Sequence, residues 1–159
     1  CNNFIGDDVI YFVHSKIKFE NNNIFDCNLD CIDFDYSSGL VTSSKLLGAS
    51  NDLLDFMGSK VSLENLILRD AKDKAISAGE RSIISIKNSE ISDSIVGVAS
   101  KDGSKVLILN SQIINNNLGL DVYRKNLRYS NSGFIEVHNS ILNNDKNIRS
   151  TRSSGVLIN

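Results

Sequence analysis

Asp33, Asp35 and Asp55 are the side chains of this sequence best spaced for shared chemistry. Asp33 and Asp55 lie 22 residues apart, and Asp35 follows Asp33 by two. In a structure that repeats every 22 residues, all three face the same way. Stacked about 4.8 Å apart, two carboxylates repel by about 1 kcal/mol in water and by several when shielded from it. A cation would relieve that repulsion, and hard oxygen ligands select Ca²⁺. The competing arrangement, preferred on the sequence, has the carboxylates splayed into solvent or accepting backbone bonds at bends. The same interval gathers further polar groups beside them. One column reads Tyr11, Asp33, Asp55, Ser77, Ala99, Asp121, and the next reads Val13, Asp35, Met57, Gly79, Lys101, Tyr123. At the adjoining bend come His14, Tyr36, Glu80, Asp102, Arg124 and Lys125. The predicted site is therefore an exposed strip holding Tyr11, His14, Asp33, Asp35, Tyr36, Asp55, Lys101, Asp102, Asp121, Tyr123 and Arg124.

What positions this strip is a repeat. Ile10, Ile32, Leu54, Ile76, Val98 and Leu120 recur every 22 residues without an insertion, the mark of a solenoid in which each repeat is one coil. Within a repeat, apolar residues alternate, as in Ile84/Ile86 and Val106/Ile108, so a helical stripe near 3.6 residues is excluded. Each repeat holds an alternating segment, a bend at Gly or Ser, a second alternating segment, an Asn, and a short apolar piece such as Ile91 or Ile113. Three short strands per turn predict an all-β fold, a single-stranded parallel β-helix of about six to seven coils, roughly 30 Å long. Phe12, Phe34 and Phe56 then form an inner column. Asn65, Asn88, Asn110 and Asn139 form a ladder read as inward and structural. Asp8, Asp30 and Asp52, followed by Lys74, precede each first strand and are read as tying down a turn. The sixth coil carries an insertion around residues 126–133. Both ends read as open, to be capped by other domains or by a partner.

Composition excludes several classes. The 159 residues fit one domain, residues 1–159, read as a fragment of a larger protein. A net charge of -2 argues against a nucleic-acid groove, and no apolar run reaches the roughly 20 residues of a membrane span. The spacing Cys27-Asn-Leu-Asp-Cys31 lacks the second pair of a zinc site. With Cys1, the odd count points to buried free thiols. Cys1 itself reads as a trimmed start or, alternatively, a lipid-modified N-terminus.

Segments 6–14, 33–35, 73–80 and 98–104 resemble the right-handed parallel β-helix superfamily with pectin-lyase-like folds, and more narrowly bacterial β-helix regions found with CotH-kinase-like surface proteins. The resemblance implies a right-handed β-helix in a secreted or cell-surface bacterial protein. Gly6-Asp7-Asp8 matches a polygalacturonase motif, but the Gly-His-Gly and Arg-Ile-Lys of those enzymes are missing. For lyase chemistry, Lys101, Arg124 and Lys125 stand two to four coils from Asp33 and Asp55, roughly 10–20 Å by the coil rise. Asp102 and Asp121 near Arg124 read as a solvated ion pair. The expected function is a non-catalytic scaffold or glycan-binding module with polysaccharide as partner and no obligatory cofactor. The alternatives are a polysaccharide lyase or glycoside hydrolase using Asp33, Asp35 and Asp55, and a purely structural spacer.

Overall fold

Alternating Ile, Val, Leu and Phe place one apolar side chain inward at every second position, and successive repeats stack these positions on each other. The computed structural model describes residues 8–151 and 155–159, and among these it contains twenty strands and no helix. Gly6, Asp7 and Cys1, on which three of the sequence readings rest, lie outside the described residues. The strands form three parallel sheets of seven, seven and six strands, wound as a β-solenoid of seven coils. The first coil is Asp8–Val13, Lys16–Glu20 and Asn23–Cys27, and the second is Asp30–Asp35, Ser38–Thr42 and Lys45–Ala49. The third is Leu54–Met57, Lys60–Glu64 and Ile67–Ala71, and the fourth Lys74–Gly79, Ile83–Lys87 and Glu90–Ser92. Val96–Lys101, Lys105–Leu109 and Gln112–Ile114 make the fifth, and Leu118–Tyr123, Phe134–His138 and Ile141–Asn143 the sixth. Lys146–Ser150 and Gly155–Ile158 belong to the seventh.

Register follows the repeat. Ile10 pairs with Ile32, Ile32 with Leu54, Leu54 with Ile76, Ile76 with Val98, and Val98 with Leu120. From Ile32 onward this column is fully buried. Phe34 stacks on Phe56 with ring centroids 4.8 Å apart, and Phe12 tilts onto Phe34 at 5.4 Å. Beyond Phe56 the column continues as Ala78, Ser100 and Val122, so the aromatic filling belongs to the first three coils.

The corners are built differently from the predicted ladder. Asn65, Asn88, Asn110 and Asn139 are all exposed and adopt left-handed φ of 56, 51, 48 and 47°. Their one side-chain contact along the stack is Asn88 Nδ2 to Asn65 Oδ1 at 3.5 Å. Asn stands there because it tolerates the left-handed turn, and the inward residue is the one that follows. At the corner between the first and second sheets, the inward residues are Ser15, Ser37, Ser59, Ser82 and Ser104. Each serine N–H from Ser15 to Ser82 donates to the next serine hydroxyl, at 3.0, 2.8, 3.0 and 3.1 Å. A second serine series runs past the asparagines: Ser89 N–H donates to Ser111 Oγ, and Ser111 N–H to Ser140 Oγ. At the third corner Ala71 N–H donates to Ser94 Oγ, Ser94 N–H to Asn116 Oδ1, and Asn116 N–H to Asn144 Oδ1. Hydroxyls and amides thus satisfy buried N–H groups where the sheet ladders break.

Cys27 and Cys31 also depart from expectation. They form a disulfide across the corner that leads from the third sheet into the first, with Cα atoms 5.3 Å apart. Both cysteines are buried, so the two sulfurs meet in the core as a bonded pair rather than remaining free thiols.

Candidate functional site

The predicted strip lies on the outer face of the first sheet, and the structure divides it. In the first three coils it is open. Tyr11, Asp33 and Asp55 are register neighbours, as are Val13, Asp35 and Met57. Tyr11 is 53% exposed, and its hydroxyl donates to Asp35 Oδ2 at 2.6 Å. That bond, with the neighbouring negative charges, pushes the phenol up to about 12. At the bend, His14 and Tyr36 both take φ of 47°, which turns their rings outward. The two rings stack with centroids 5.3 Å apart and planes 15° from parallel. Gly58 occupies the same corner one coil on, and a Cβ there would approach the Tyr36 ring to 2.8 Å. The missing side chain seats the tyrosine.

The carboxylates crowd each other. Burial, then the charges of Asp35, Asp55, Asp8 and Asp30, push Asp33 up to about 7. Asp55 Oδ1 accepts the Phe56 N–H at 2.9 Å. The acids that precede the strands are structural, as their positions predicted. Asp30 Oδ1 accepts the Asp52 N–H and Asn51 Nδ2, both at 2.7 Å, and Asp52 Oδ1 accepts the Lys74 N–H at 2.9 Å. Burial pushes Asp52 up to about 6 in spite of Lys74 beside it.

From the fourth coil onward the strip is closed, and three predicted site residues are buried. Small residues on the outer face, Ser77, Gly79 and Ala99, leave room that long side chains fill by lying on the sheet. Lys101 is only 6% exposed. It lies over Gly79, and its Nζ donates to Ser77 Oγ at 2.9 Å. Asp121 is clasped by Arg149, with Nε to Oδ1 at 2.9 Å and Nη2 to Oδ2 at 2.5 Å, a two-pronged pair across one coil. Arg149, and not Arg124, is its partner. Tyr123 is half-buried against Val96, Ala99 and Leu118. Asp102 is wholly enclosed. Its Oδ1 accepts the Lys125 and Asn126 N–H groups at 2.8 Å, which fixes the base of the insertion, and its Oδ2 has no partner among the described residues. Arg124 is exposed. Lys101, Asp102 and Asp121 therefore hold the fold and are unavailable to a surface ligand.

The strip that remains is Tyr11, His14, Asp33, Asp35, Tyr36 and Asp55. Its carboxylates accept hydrogen bonds from hydroxyl or amine groups, and its stacked rings offer a flat apolar face. Among the described residues no group of three His, Cys, Asp or Glu side chains is placed to hold a metal ion. A second concavity escaped the sequence reading. It lies on the outer face of the second sheet beside the 126–133 insertion, whose presence was the one visible signal. No family model matches the chain, and no curated protein and no solved structure matches it significantly.

Proposed function

We propose that this chain is a rigid, non-catalytic β-solenoid module that binds glycans at the first-sheet strip. The observation that carries the reading is the exposed Tyr36–His14 stack beside the half-exposed carboxylates Asp33, Asp35 and Asp55. A sugar ring presents an apolar C–H face to an aromatic platform and hydroxyls to flanking acceptors, and the strip supplies both. The concentration of acids favours neutral or amino-bearing sugars over anionic ones. The Cys27–Cys31 disulfide supports a secreted or cell-surface setting, because such bonds persist in oxidising compartments. The bacterial, pectin-lyase-like assignment rests on the sequence resemblance.

Affinity electrophoresis through gels containing neutral polysaccharides tests the reading, with Tyr36→Ala as the variant. Retardation of the wild type that Tyr36→Ala loses, at unchanged melting temperature, supports it. Equal migration of the two proteins in every retarding gel overturns it.

One observation favours the enzymatic alternative. A carboxyl group whose pKa is raised to about 7 between two other acids has the protonation behaviour of a general acid in glycoside hydrolysis. Release of reducing ends from a polysaccharide by the wild type, abolished in Asp33→Asn, would replace the binding-module reading with this one.

A further inference from the structure

A groove of about 730 Å³ runs along the outer face of the second sheet, opposite in character to the acidic strip. Ser62, Ser85 and Leu107 form its floor, as register neighbours on three successive coils. The insertion between Tyr123 and Phe134 forms one wall. Tyr129 of that wall is held by the Arg81 guanidinium, 5.5 Å from the ring centroid, and Asp102 anchors its base. Along the rim stand Lys60, Ile83, Lys105 and Phe134, again in register. Lys60 and Lys105 are exposed and form no ion pair with any described residue. The same column carries Lys16 two coils before Lys60, with Ser38 between them. Cations thus recur on alternate coils, and by the coil rise consecutive lysines stand about 10 Å apart. Between them the rim is apolar at Ile83, which is 51% exposed, and at Phe134 beyond Lys105.

We propose that this groove binds a linear, β-linked acidic polysaccharide carrying one carboxylate per disaccharide. An extended chain of this kind advances by about two coil rises per disaccharide, so successive carboxylates meet Lys60 and Lys105 while the intervening sugar rests on Ile83. On the floor Ser85 Oγ donates to Ser62 Oγ at 3.2 Å, which leaves the Ser62 hydroxyl to donate to a sugar edge. Glu136, the one acid lining the groove, stands at its far end, with His138 Nε2 of the same strand 2.7 Å from its Oε1. An acidic peptide shares the charge but has no sugar ring to rest on Ile83 between the two lysines. This site is separate from the Tyr36 platform, lies on another face and prefers the opposite charge.

The test uses hyaluronan, which has one carboxylate per disaccharide, with carboxyl-reduced hyaluronan and polyglutamate as comparison ligands. Titration calorimetry of the full chain at low and moderate salt reads the affinity. The expected result is binding of hyaluronan that Lys60→Ala/Lys105→Ala weakens by about tenfold or more. Ser85→Trp, which fills the floor, should weaken it as well, while Tyr36→Ala leaves it unchanged. Carboxyl-reduced hyaluronan and polyglutamate should bind at least about tenfold more weakly. The proposal is overturned if hyaluronan does not bind, if the lysine variant or Ser85→Trp binds as the wild type does with native circular dichroism, or if either comparison ligand binds equally well. Loss of hyaluronan binding in Tyr36→Ala would also overturn it, by assigning the ligand to the other face.

Discussion

Replacing Asp33 by asparagine should make this protein more stable, by an amount that grows from about pH 4 and is complete above about pH 7. Asp33 rises from an ordinary 3.8 to about 7 because burial and four neighbouring carboxylates disfavour its charge. In the unfolded chain those neighbours disperse and the group ionises normally. Below about pH 4 both states hold the proton, and the group has no effect on stability. Between about pH 4 and pH 7 the unfolded state releases its proton while the folded state keeps it, so stability falls as pH rises. Above about pH 7 both are ionised, and the folded state carries the whole penalty. The shift of about 3 units, from 3.8 to about 7, corresponds to about 4 kcal/mol before screening. Asp33 is only half-buried, and solvent screening brings this to about 2 kcal/mol. The substituted amide carries no charge to penalise and is close to isosteric with the carboxylate. The melting difference between Asp33→Asn and wild type should therefore be near zero at about pH 3.5 and climb to a plateau by about pH 8. For a chain of this length the plateau is roughly 4–8 °C. Differential scanning calorimetry across a series of closely spaced pH values measures it, and carboxyl-carbon NMR of Asp33 checks the titration directly. A difference that does not vary with pH, or an Asp33→Asn protein less stable than wild type in the alkaline range, refutes the electrostatic reasoning.

Three further outcomes concern the scaffold. Ser59→Ala removes the hydroxyl that accepts the Ser37 N–H and donates to the Phe34 carbonyl, both at 2.8 Å. It should cost about 2 kcal/mol in urea unfolding, against less than about 0.5 for Ser62→Ala on the outer face; equal costs would deny the serine ladder its role. Gly39→Ala places a Cβ 2.0 Å from the Ile17 carbonyl oxygen at a φ of 151° that L residues rarely adopt. It should loosen the first coil by about 3 kcal/mol, seen as faster amide exchange in Lys16–Glu20 with later coils unchanged. The Cys27–Cys31 bond closes a short loop, so its reduction should lower stability by about 2 kcal/mol. Alkylation in denaturant without prior reduction, followed by mass spectrometry, should leave both cysteines unlabelled, and labelling of either contradicts the bond.

The repeat itself was legible because apolar spacing is a local property that stacking converts directly into register. Ile10 through Leu120 needed no knowledge of the rest of the chain to be placed in one column, and the Phe12–Phe34–Phe56 stack followed from the same arithmetic. Asp30 and Asp52 were also legible, since an acid just before each strand has backbone N–H groups within reach. The corners were half-read. The doublets Asn88-Ser89 and Asn110-Ser111 show two polar residues each, and periodicity does not say which of the two turns inward. Backbone conformation decides it: the left-handed residue projects outward, and the serine behind it inherits the buried N–H groups.

The strip failed for a reason of volume rather than polarity. Alternation correctly placed Lys101 and Asp121 on the outer face, yet an outer face is exposed only when nothing lies on it. Coils four and five carry Ser, Gly and Ala there, so each leaves a shallow trough about one side chain deep. Lys101 lies down in it toward Ser77, Tyr123 covers Val96 and Ala99, and Arg149 reaches back from the seventh coil to Asp121. In coils one to three the corresponding positions hold Tyr, Val, Asp and Met, which fill their own columns. The exposed half of the strip is therefore the half with larger outward side chains. The same logic accounts for the second-sheet groove, where Ser62 and Ser85 lie beneath a wall supplied by the insertion. On a solenoid, runs of small outward residues mark where something lies across the sheet. In the first sheet that something is the chain's own lysine, tyrosine and arginine; in the second the trough is still open.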